Sequence, residues 1–368
     1  MSFNPNTPRR SFLELASAFL IPPALKDGAT PKSAGPSLTI GPSINAGEFG
    51  ATGDGITDDT VALQRAIDIA LINGAGVALP AGKFRTTGLS LNVAPDNLNA
   101  RFRLTGQGRR TTKLIKIGTS SAPVLSIASA AIPTEANVDI ADLAIDGNGG
   151  RADGVKLTGV AHSTLSRVIL ENCNRALHGS GSLLLTIDDC TLHRSNIGAL
   201  FRKNGLAHAN AITIRDSRIN SNSRYGVDFG EGSMLRLRDC QIEANGTRGN
   251  IDSGGIVLRY TIGAEIGYGV VVIDGCWLEA NRGRSIHVEK NAGLHLALTQ
   301  VQILSSEVGR ALLVEGAAHV RLEDILAPST GDIVDITATK LTMSGGIVYQ
   351  LVGSRGRELI QNVTIGAP

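Results

Sequence analysis

The segment Leu185-Thr-Ile-Asp-Asp-Cys190 is one copy of a short pattern that recurs between residues 140 and 340. In each copy apolar and polar residues alternate, which is typical of a β-strand with one buried face. The other copies are Leu165 to Cys173, Ile212-Thr-Ile-Arg-Asp-Ser217, Leu235-Arg-Leu-Arg-Asp-Cys240 and Val271-Val-Ile-Asp-Gly-Cys276, with weaker ones at Leu296 to Val301 and Val320 to Ile325. These segments predict strands at equivalent positions of a repeated unit.

A second short strand closes each unit, after a turn rich in asparagine. The first inward-facing residues of these closing strands are Val155, Leu177, Ala199, Val227, Ile256, Ile286, Leu312 and Val334. They recur every 22 to 30 residues, which is the period of a solenoid. With two or three short strands in each repeat, the predicted fold class is all-β, a single-stranded parallel β-helix.

The composition agrees with such a fold. The chain has 44 glycines in 368 residues, 42% apolar residues and only 4% aromatic residues, so the core must consist mainly of aliphatic side chains. This apolar content excludes a disordered chain, and glycine is too infrequent for a collagen. Basic and acidic residues number 35 and 33, so no basic excess points to nucleic acid as a partner.

The cysteines and asparagines follow the repeat. No CxxC pair is present, so the spacing favours neither a metal site nor a disulfide framework. The cysteines are instead predicted to form one inward stack, with Ser217 in the same register: Cys173, Cys190, Cys240 and Cys276. The asparagines are predicted to form a ladder that satisfies backbone groups at the turns: Asn196, Asn222, Asn245 and Asn281.

The N-terminal part of the repeat region carries a family resemblance. The segment Phe49-Gly-Ala-Thr-Gly-Asp-Gly-Ile-Thr-Asp-Asp-Thr60, with the sequence from Val61 to Phe84, resembles the opening of pectate-lyase-superfamily proteins. That group includes polygalacturonases, rhamnogalacturonases, alginate epimerases and phage tailspikes. The resemblance implies a right-handed β-helix over residues 43–368, with an N-terminal cap and first coils at 43–91 and regular coils at 140–340.

A short capping helix is predicted from about residue 60 to 72, with Asp58 or Asp59 at its N-cap. We expect it to cover the open end of the coil stack with an apolar face. This face would comprise Val61, Leu63, Ile67, Ala70 and Leu71. Asp54, Asp58 and Asp59 are interpreted as turn and cap residues, not as a metal cluster.

The catalytic motifs of the resembled enzymes are not intact. The Asn-Thr-Asp, Asp-Asp, Gly-His-Gly and Arg-Ile-Lys motifs of polygalacturonases are missing at the matching positions. Alginate epimerases use Tyr-Gly-Phe-Asp-Pro-His, and Tyr225-Gly-Val-Asp-Phe-Gly230 shares its Tyr, Gly and Asp. Because Gly230 stands at the histidine position, a proton-transfer partner is missing there.

The outward residues of the closing strands define a candidate site. Neighbouring coils lie about 4.8 Å apart, so Asp228 and His287 are expected roughly 10 Å apart, with Arg259 between and beside them. Asp228, His287 and Tyr225 are the candidate catalytic residues for proton transfer, and Arg259 would pair with the carboxylate of an acidic sugar. The other candidate binding residues are Arg202, Trp277 and Glu289.

Two alternatives use the same surface. Glu289 and Glu315 on adjacent coils would lie about 5 Å apart, near the carboxylate spacing of a retaining glycosidase. Alternatively, these charged residues only cover the outside of a solenoid, with Arg259 and Glu289 forming a surface ion pair.

Trp277 faces outward in its strand, where it would stack on a sugar ring.

Residues 1–42 differ in character from the rest. Arg9 and Arg10 precede Phe12 and Leu13 and then a mildly apolar run, which resembles a twin-arginine export signal. This segment is predicted to be an export signal and linker, with a periplasmic or secreted location. The apolar run is too short for a permanent membrane span.

The predicted function is action on an acidic polysaccharide. The chemistry would be lyase-type or epimerase-type at a uronate, or glycoside hydrolysis. The alternative is a non-catalytic carbohydrate-binding or cell-envelope structural protein with the same fold. No cofactor or metal is expected; many lyases of the superfamily use calcium, but the sequence shows no clear acidic ligand set. The sequence does not indicate an oligomeric state.

Overall fold

The computed structural model describes residues 43–93, 101–129, 134–135, 137–205, 207–259, 269–304, 310–328, 333–353 and 355–365. The predicted export segment, residues 1–42, lies outside these ranges. Within them, strands dominate and one α-helix occurs, Thr60–Asn73. No helix in these ranges is long and apolar enough to cross a membrane.

The strands stack into three parallel sheets, because each strand pairs with the equivalent strand one coil further along. Sheet A contains Ser43–Asn45, Gly76–Ala78, Phe102–Thr105, Val138–Ala141, Thr164–Ser166, Thr186–Asp188, Ile212–Arg215, Met234–Arg238, Gly269–Asp274, Asn291–Thr299 and Arg355–Gln361. Sheet B contains Asp54–Asp58, Gly82–Thr86, Thr112–Lys116, Ala144–Asp146, Ile169–Glu171, Thr191–His193, Arg218–Asn220, Gln241–Glu243, Trp277–Glu279, Gln302–Leu304 and Thr364–Ile365. Sheet C contains Leu89–Val93, Leu125–Ser129, Val155–Thr158, Arg175–Ser180, Ile197–Arg202, Tyr225–Gly230, Gly254–Arg259, Arg284–Val288 and Gln350–Val352.

Two long strands, Arg310–Ala327 and Ile333–Val348, pass through all three sheets. A separate pair of short strands, Thr134–Glu135 and Val160–Ala161, lies outside them. This arrangement confirms the predicted all-β, single-stranded parallel β-helix. The closing strands of the repeat are the strands of sheet C, and their predicted register is confirmed by the pairing of Val227 with Ile256.

The helix confirms the predicted cap at the N-terminal end. Its buried residues are Leu63, Ala66, Ile67 and Ala70, and it packs against the first strands of sheets A and C. Val61 was predicted to join this face but is 64% exposed. A side chain in the first turn, two positions before Leu63, points about 200° around the helix from it and so toward solvent.

Two aspartates organise the loop before the helix. The Asp58 carboxylate accepts a hydrogen bond from the Thr60 backbone amide at 3.0 Å, as in an Asx turn. Asp59 is buried, and its carboxylate accepts hydrogen bonds from the amide of Thr52 at 2.7 Å and from that of Gly53 at 3.3 Å. Both residues therefore have the predicted turn role. Asp59 is the N-cap residue of the helix by position, but its side chain makes no capping hydrogen bond.

The cysteine stack contains three of the four predicted members. Cys190, Ser217, Cys240 and Cys276 each follow a sheet A strand at the same position and are buried. Cys173 is not among them, and Val168 occupies its expected place. The reason is register: Leu165 pairs with Ile187, so the segment to Cys173 includes a sheet B strand as well.

The asparagine ladder lies at the turn between sheets B and C. It consists of the buried Asn222, Asn245 and Asn281. The backbone amide of Asn222 donates to Asn245 Oδ1 at 3.2 Å, and the backbone amide of Asn245 donates to Asn281 Oδ1 at 3.1 Å. Ser195, not the predicted Asn196, continues the column, because the Ser195 amide donates to Asn222 Oδ1. Each rung satisfies a backbone group that the turn would otherwise leave unpaired.

Candidate functional site

The outward-facing column of sheet C has the predicted register but not the predicted exposure. Asp228 pairs with Val257, and Val257 pairs with His287 on the next coil. Asp228 is only 3% exposed, and Val257 is fully buried. The column is therefore covered by other side chains and is not a bare solvent-facing surface.

Asp228 is held by two arginines. Its Oδ1 lies 2.8 Å from Nη2 of Arg202 and 3.2 Å from Nε of Arg259. Arg202 also donates through Nη1 to the carbonyl of Phe201 at 2.8 Å. The two guanidinium groups compensate the charge of this buried carboxylate.

Arg259 joins three groups. Besides Asp228, its Nη1 lies 2.5 Å from Oε1 of Glu289, and its Cζ lies 5.1 Å from the centre of the Tyr225 ring. The predicted meeting of Arg259, Asp228 and Glu289 is thus observed. The two carboxylates compensate the charge of Arg259, although they use only two of its three nitrogens.

Tyr225 lies at the start of its sheet C strand and is buried among Ile197, Leu200 and Val257. Its hydroxyl donates to the carbonyl of Asp252. The phenol that the sequence proposed for proton transfer therefore has a backbone partner. In this arrangement the ring acts as an apolar floor under the arginine side chains.

His287 does not cooperate with Asp228, in contrast to the sequence-based expectation. Nη1 of Arg284 donates to its Nδ1 at 3.2 Å, and its Nε2 lies 3.2 Å from Oε1 of Glu315. Val257 separates it from Asp228, since each occupies a different coil. Burial lowers the pKa of His287, and the nearby charge of Arg284 lowers it further.

The predicted glutamate pair is also not assembled as a hydrolytic dyad. Glu289 is paired with Arg259, whereas Glu315 is paired with His287. Each carboxylate is therefore directed toward its own cationic or imidazole partner. The two carboxylates are thus compensated by different residues.

Trp277 lies on a different face of the molecule. It belongs to sheet B, where it pairs with Gln241 and Gln302, and its indole N–H donates to Oε2 of Glu279 at 2.9 Å. Its side chain is 38% exposed. The structure does not bring it together with the sheet C residues, because residues of sheets B and C project from different sides of each coil.

A cavity of about 440 Å³ opens beside Asp228, and we call it the arginine cleft. It is lined by Asn174, Arg175, Asn196, Ile197, Leu200, Arg202, Arg224, Asp228 and Arg259. The lining therefore contains four guanidinium groups and one carboxylate. A concave site with this imbalance favours an anionic ligand.

Three of the four arginines of the cleft have carboxylate partners. Arg175 Nε lies 2.6 Å from Asp153 Oδ1, and Arg202 and Arg259 are bound to Asp228. Arg224 lies over the Tyr225 ring, its Cζ 5.6 Å from the ring centre. Within the described residues its side chain makes no hydrogen bond and no ion pair, so its guanidinium is free to bind a ligand.

Asp153 fixes one wall of the arginine cleft. It is buried, and its second oxygen lies 3.1 Å from Nδ1 of His178. Burial opposes its charged form, but hydrogen bonds from His178 and Arg175 outweigh burial and lower the pKa of Asp153. Arg175 is thereby held in one orientation at the edge of the cleft.

Sequence reasoning missed Arg175, Arg224 and Asp153. It followed only the outward residues after the first inward position of each closing strand, whereas Arg175 and Arg224 lie before that position. The available signal was the series Asn174, Asn196 and Arg224 at the strand entrances. Among the described residues, no group of three or more His, Cys, Asp or Glu side chains is placed to hold a metal ion.

Three stacked parallel sheets and an outward cleft on one of them define a parallel β-helix protein. Residues 43–251, more than half of the chain, match the family described as rhamnogalacturonase A/epimerase, pectate lyase-like, and the chain belongs to this family. Its sequence is similar to mannuronan C5-epimerase AlgE5 of Azotobacter vinelandii, with 26% identity over 262 residues, covering 64% of this chain and 24% of that protein. Alginate lyase 7 of the same organism is 38% identical over 114 residues, covering 30% of this chain and 13% of that protein.

This chain thus spans about a quarter or less of the length of these relatives. Solved structures with the same fold include the AlgE4 A-module of Azotobacter vinelandii, with a TM-score of 0.55, 17% identity, and coverage of 88% of this chain and 97% of that chain. A tailspike of an Acinetobacter phage has a TM-score of 0.62 and 12% identity, and the match covers 88% of this chain and 62% of that chain. At these identities the structural likeness establishes the fold alone.

Proposed function

We propose that this protein recognises an acidic polysaccharide of uronate residues through the arginine cleft. The observation that carries the proposal is Arg224, an exposed guanidinium in a cleft with three further arginines, which lacks a hydrogen-bonding partner among the described residues. A planar guanidinium binds a carboxylate through two parallel hydrogen bonds, which is the recognition that a uronate requires. The similarity to mannuronan epimerases and an alginate lyase supports the same ligand class.

Ile197 and Leu200 add a small apolar patch to the lining of the cleft. Tyr225, Ile197 and Leu200 form a buried apolar cluster next to the guanidinium groups. Carbohydrate rings present apolar C–H faces as well as hydroxyl groups, so a site with both surfaces provides orientation. Asn174 and Asn196 add amide groups that are suited to the hydroxyls.

Uronate epimerisation or elimination in the same cleft is the second candidate. It is favoured by Tyr225 and Asp228, which stand at the positions of the epimerase motif, and by the family relationship. Asp228 would act in such a reaction only after a ligand carboxylate took over its arginine partners. Hydrolysis is less well supported, because Glu289 and Glu315 are bound to different partners.

Binding is tested by titrating the purified protein with polymannuronate and with the same polymer after esterification of its carboxyl groups. We expect binding of the free acid only. The affinity of Arg224→Gln should be lower by at least a factor of about ten, since a hydrogen bond to a charged group contributes about 1.5–3 kcal/mol. Arg236→Gln, which removes an exposed arginine from sheet A, is the matched control. Equal binding of the esterified polymer would refute the proposal.

Catalysis is tested on the same samples by product analysis. Unsaturated products that absorb ultraviolet light indicate elimination, inversion at C5 seen by proton NMR indicates epimerisation, and new reducing ends alone indicate hydrolysis. Binding without any of these products favours a non-catalytic carbohydrate-binding protein. An activity that survives intact in both Asp228→Ala and Tyr225→Phe would exclude these residues as its catalytic groups.

We further propose that the twin-arginine segment directs this binding protein to the periplasm or outside the cell, where polysaccharides are accessible. Arg9 and Arg10 in their sequence context support this location. The test is a fusion of residues 1–42 to a folded reporter protein in a bacterial host. Export that is lost in the Arg9→Lys, Arg10→Lys double variant is the expected result.

A further inference from the structure

A second cavity of about 480 Å³ lies at the turn between sheets B and C, and we call it the amide pocket. It is lined by Asp146, Asn148, Gly149, Gly150, Asn172, Cys173, Arg194, Ser195, Asn196, Ser221 and Ser223. Polar side chains, mainly asparagine and serine, alternate in this lining with backbone and glycine surface. Nothing in the proposed role of the arginine cleft accounts for this second cavity.

The amide pocket adjoins the arginine cleft. Asn196 lines both cavities. Three successive coils contribute to both cavities. On one coil, residues 172–173 line the amide pocket and residues 174–175 line the cleft; on another, Ser223 lines the amide pocket and Arg224 lines the cleft. A ligand that fills the cleft therefore meets the amide pocket as it crosses the turn.

The pocket contains the groups that bind sugar hydroxyls. Asn172 and Asn196 present amides, and Ser221 and Ser223 present hydroxyls, on adjacent coils. The internal hydrogen bonds of Asn196 are long, at 3.3 Å to both Asn174 Oδ1 and Ser223 Oγ. Such bonds are readily exchanged for bonds to a ligand, since amides and hydroxyls both donate and accept.

Arg194 adds one uncompensated positive charge. It is exposed, and its side chain makes no hydrogen bond or ion pair in the part of the chain that the structure describes. The carboxylate in the lining, Asp146, is already occupied: it lies 3.6 Å from Nζ of Lys113 and accepts a hydrogen bond from Asn172 at 3.0 Å. The amide pocket thus combines neutral polar groups with a single free guanidinium, as the cleft does with Arg224.

We propose that the amide pocket is a second sugar subsite, in which Arg194 binds the carboxylate of another uronate residue of the same chain. The inference rests on the proposed function and specifies its ligand as an acidic oligosaccharide that crosses the turn from Arg224 to Arg194. A single uronate fills only the cleft. Two linked subsites increase affinity because the second contact is intramolecular.

The test measures affinity for a series of mannuronate oligosaccharides from dimer to hexamer by calorimetric titration. The wild-type protein is expected to bind the hexamer at least ten-fold more tightly than the dimer. Arg194→Gln should bind the dimer as tightly as the wild type does, but its affinity should not increase from dimer to hexamer. Arg194→Lys should recover part of that increase. Arg224→Gln should weaken binding at every length, and Arg236→Gln on sheet A should change nothing.

The outcomes separate the two proposals. Wild-type affinity that does not rise with length, or an Arg194→Gln variant that retains the full rise, overturns the second subsite and leaves the arginine cleft standing. A wild-type protein that binds no oligosaccharide of any length overturns the proposed function itself. A thermal unfolding curve of Arg194→Gln that coincides with that of the wild type shows that a lost gain is not a folding defect.

Discussion

The guanidinium of Arg202 lies over Gly230, so that a Cβ atom at position 230 would be 2.9 Å from Nη1 of Arg202. From this place Arg202 reaches the carboxylate of Asp228. In the motif of the resembled epimerases, a histidine stands where this chain has Gly230. The cleft thus contains a cation bound to Asp228 where such an enzyme would have an imidazole, which favours recognition of an anion over proton transfer.

The ion pairs of Asp228 predict the effect of removing its charge. Asp228→Asn leaves Arg202 and Arg259 without their shared carboxylate in a partly buried place, so the free energy of unfolding should decrease by about 2–4 kcal/mol. Urea denaturation measures this. Glu315→Gln, at a half-exposed carboxylate, should cost less than about 1 kcal/mol. An Asp228→Asn variant as stable as the wild type would show that the two ion pairs do not contribute.

The asparagine ladder predicts a large effect of one buried amide. Asn245 Nδ2 donates to the carbonyl of Ile219 at 2.9 Å, and its Oδ1 accepts from Asn222. Asn245→Leu leaves several buried polar groups unpaired, at about 1–3 kcal/mol each, so the loss of stability should be ~3 kcal/mol or more. The control is Asn92→Ala at an exposed position of sheet C. Similar unfolding midpoints for both variants would contradict the ladder.

The burial of all four cysteines predicts inert thiols. Burial raises the pKa of Cys173 and of Cys190 to about 12, so their reactive thiolate forms are scarce at neutral pH. A thiol-specific chromogenic reagent should titrate less than one thiol in the native protein and four after unfolding in guanidinium chloride. The added thiol of Ser217→Cys should be equally unreactive, whereas that of Ser90→Cys, at an exposed position, should react at once. A rapid native reaction of the wild type would contradict the burial of all four.

The imidazole of His287 predicts a loss of stability at mildly acidic pH. Burial lowers its pKa below the ordinary value of 6.5, so the unfolded chain binds the proton more tightly than the folded chain. Stability is therefore greatest above pH 6.5 and decreases as the pH falls from there toward the folded pKa. Unfolding in urea between pH 5 and 7.5 measures this decrease, in a range above the ordinary carboxyl values.

His287→Gln should reduce that decrease without abolishing it, because burial also lowers the pKa values of His193 and His319. A Gln side chain retains hydrogen-bonding groups near Arg284 and Glu315. If His287→Gln shows the same change of stability with pH as the wild type, His287 is not responsible for it.

The fold was predictable because burial on one face of each strand leaves a periodic trace in the sequence. Val227 and Ile256 are inward residues of adjacent coils in both the repeat and the structure. The same reasoning misplaced Cys173, because similar letters do not reveal where one sheet ends and the next begins. Only the pairing of Leu165 with Ile187 shows the true register.

The candidate site was less predictable for a physical reason. Strand alternation shows that Asp228 points outward, but it does not show that Arg202 and Arg259 fold back over it. The importance of Arg224 depends on the lack of an acidic partner among the described residues, which is a property of three-dimensional neighbours. A linear pattern contains no record of which arginine is left without a partner.

The parallel pairing of coils fixes the spacing of side chains on this surface. Side chains in one column are separated by whole multiples of about 4.8 Å, the distance between hydrogen-bonded strands. A single substitution can therefore change the side chain at one position of a column, as at Gly230. The spacing between positions is set by the backbone pairing, so a substitution does not alter it. The binding groups on such a surface therefore lie at fixed intervals along the stack of coils. Substitutions change the selectivity for a polymer at one interval at a time.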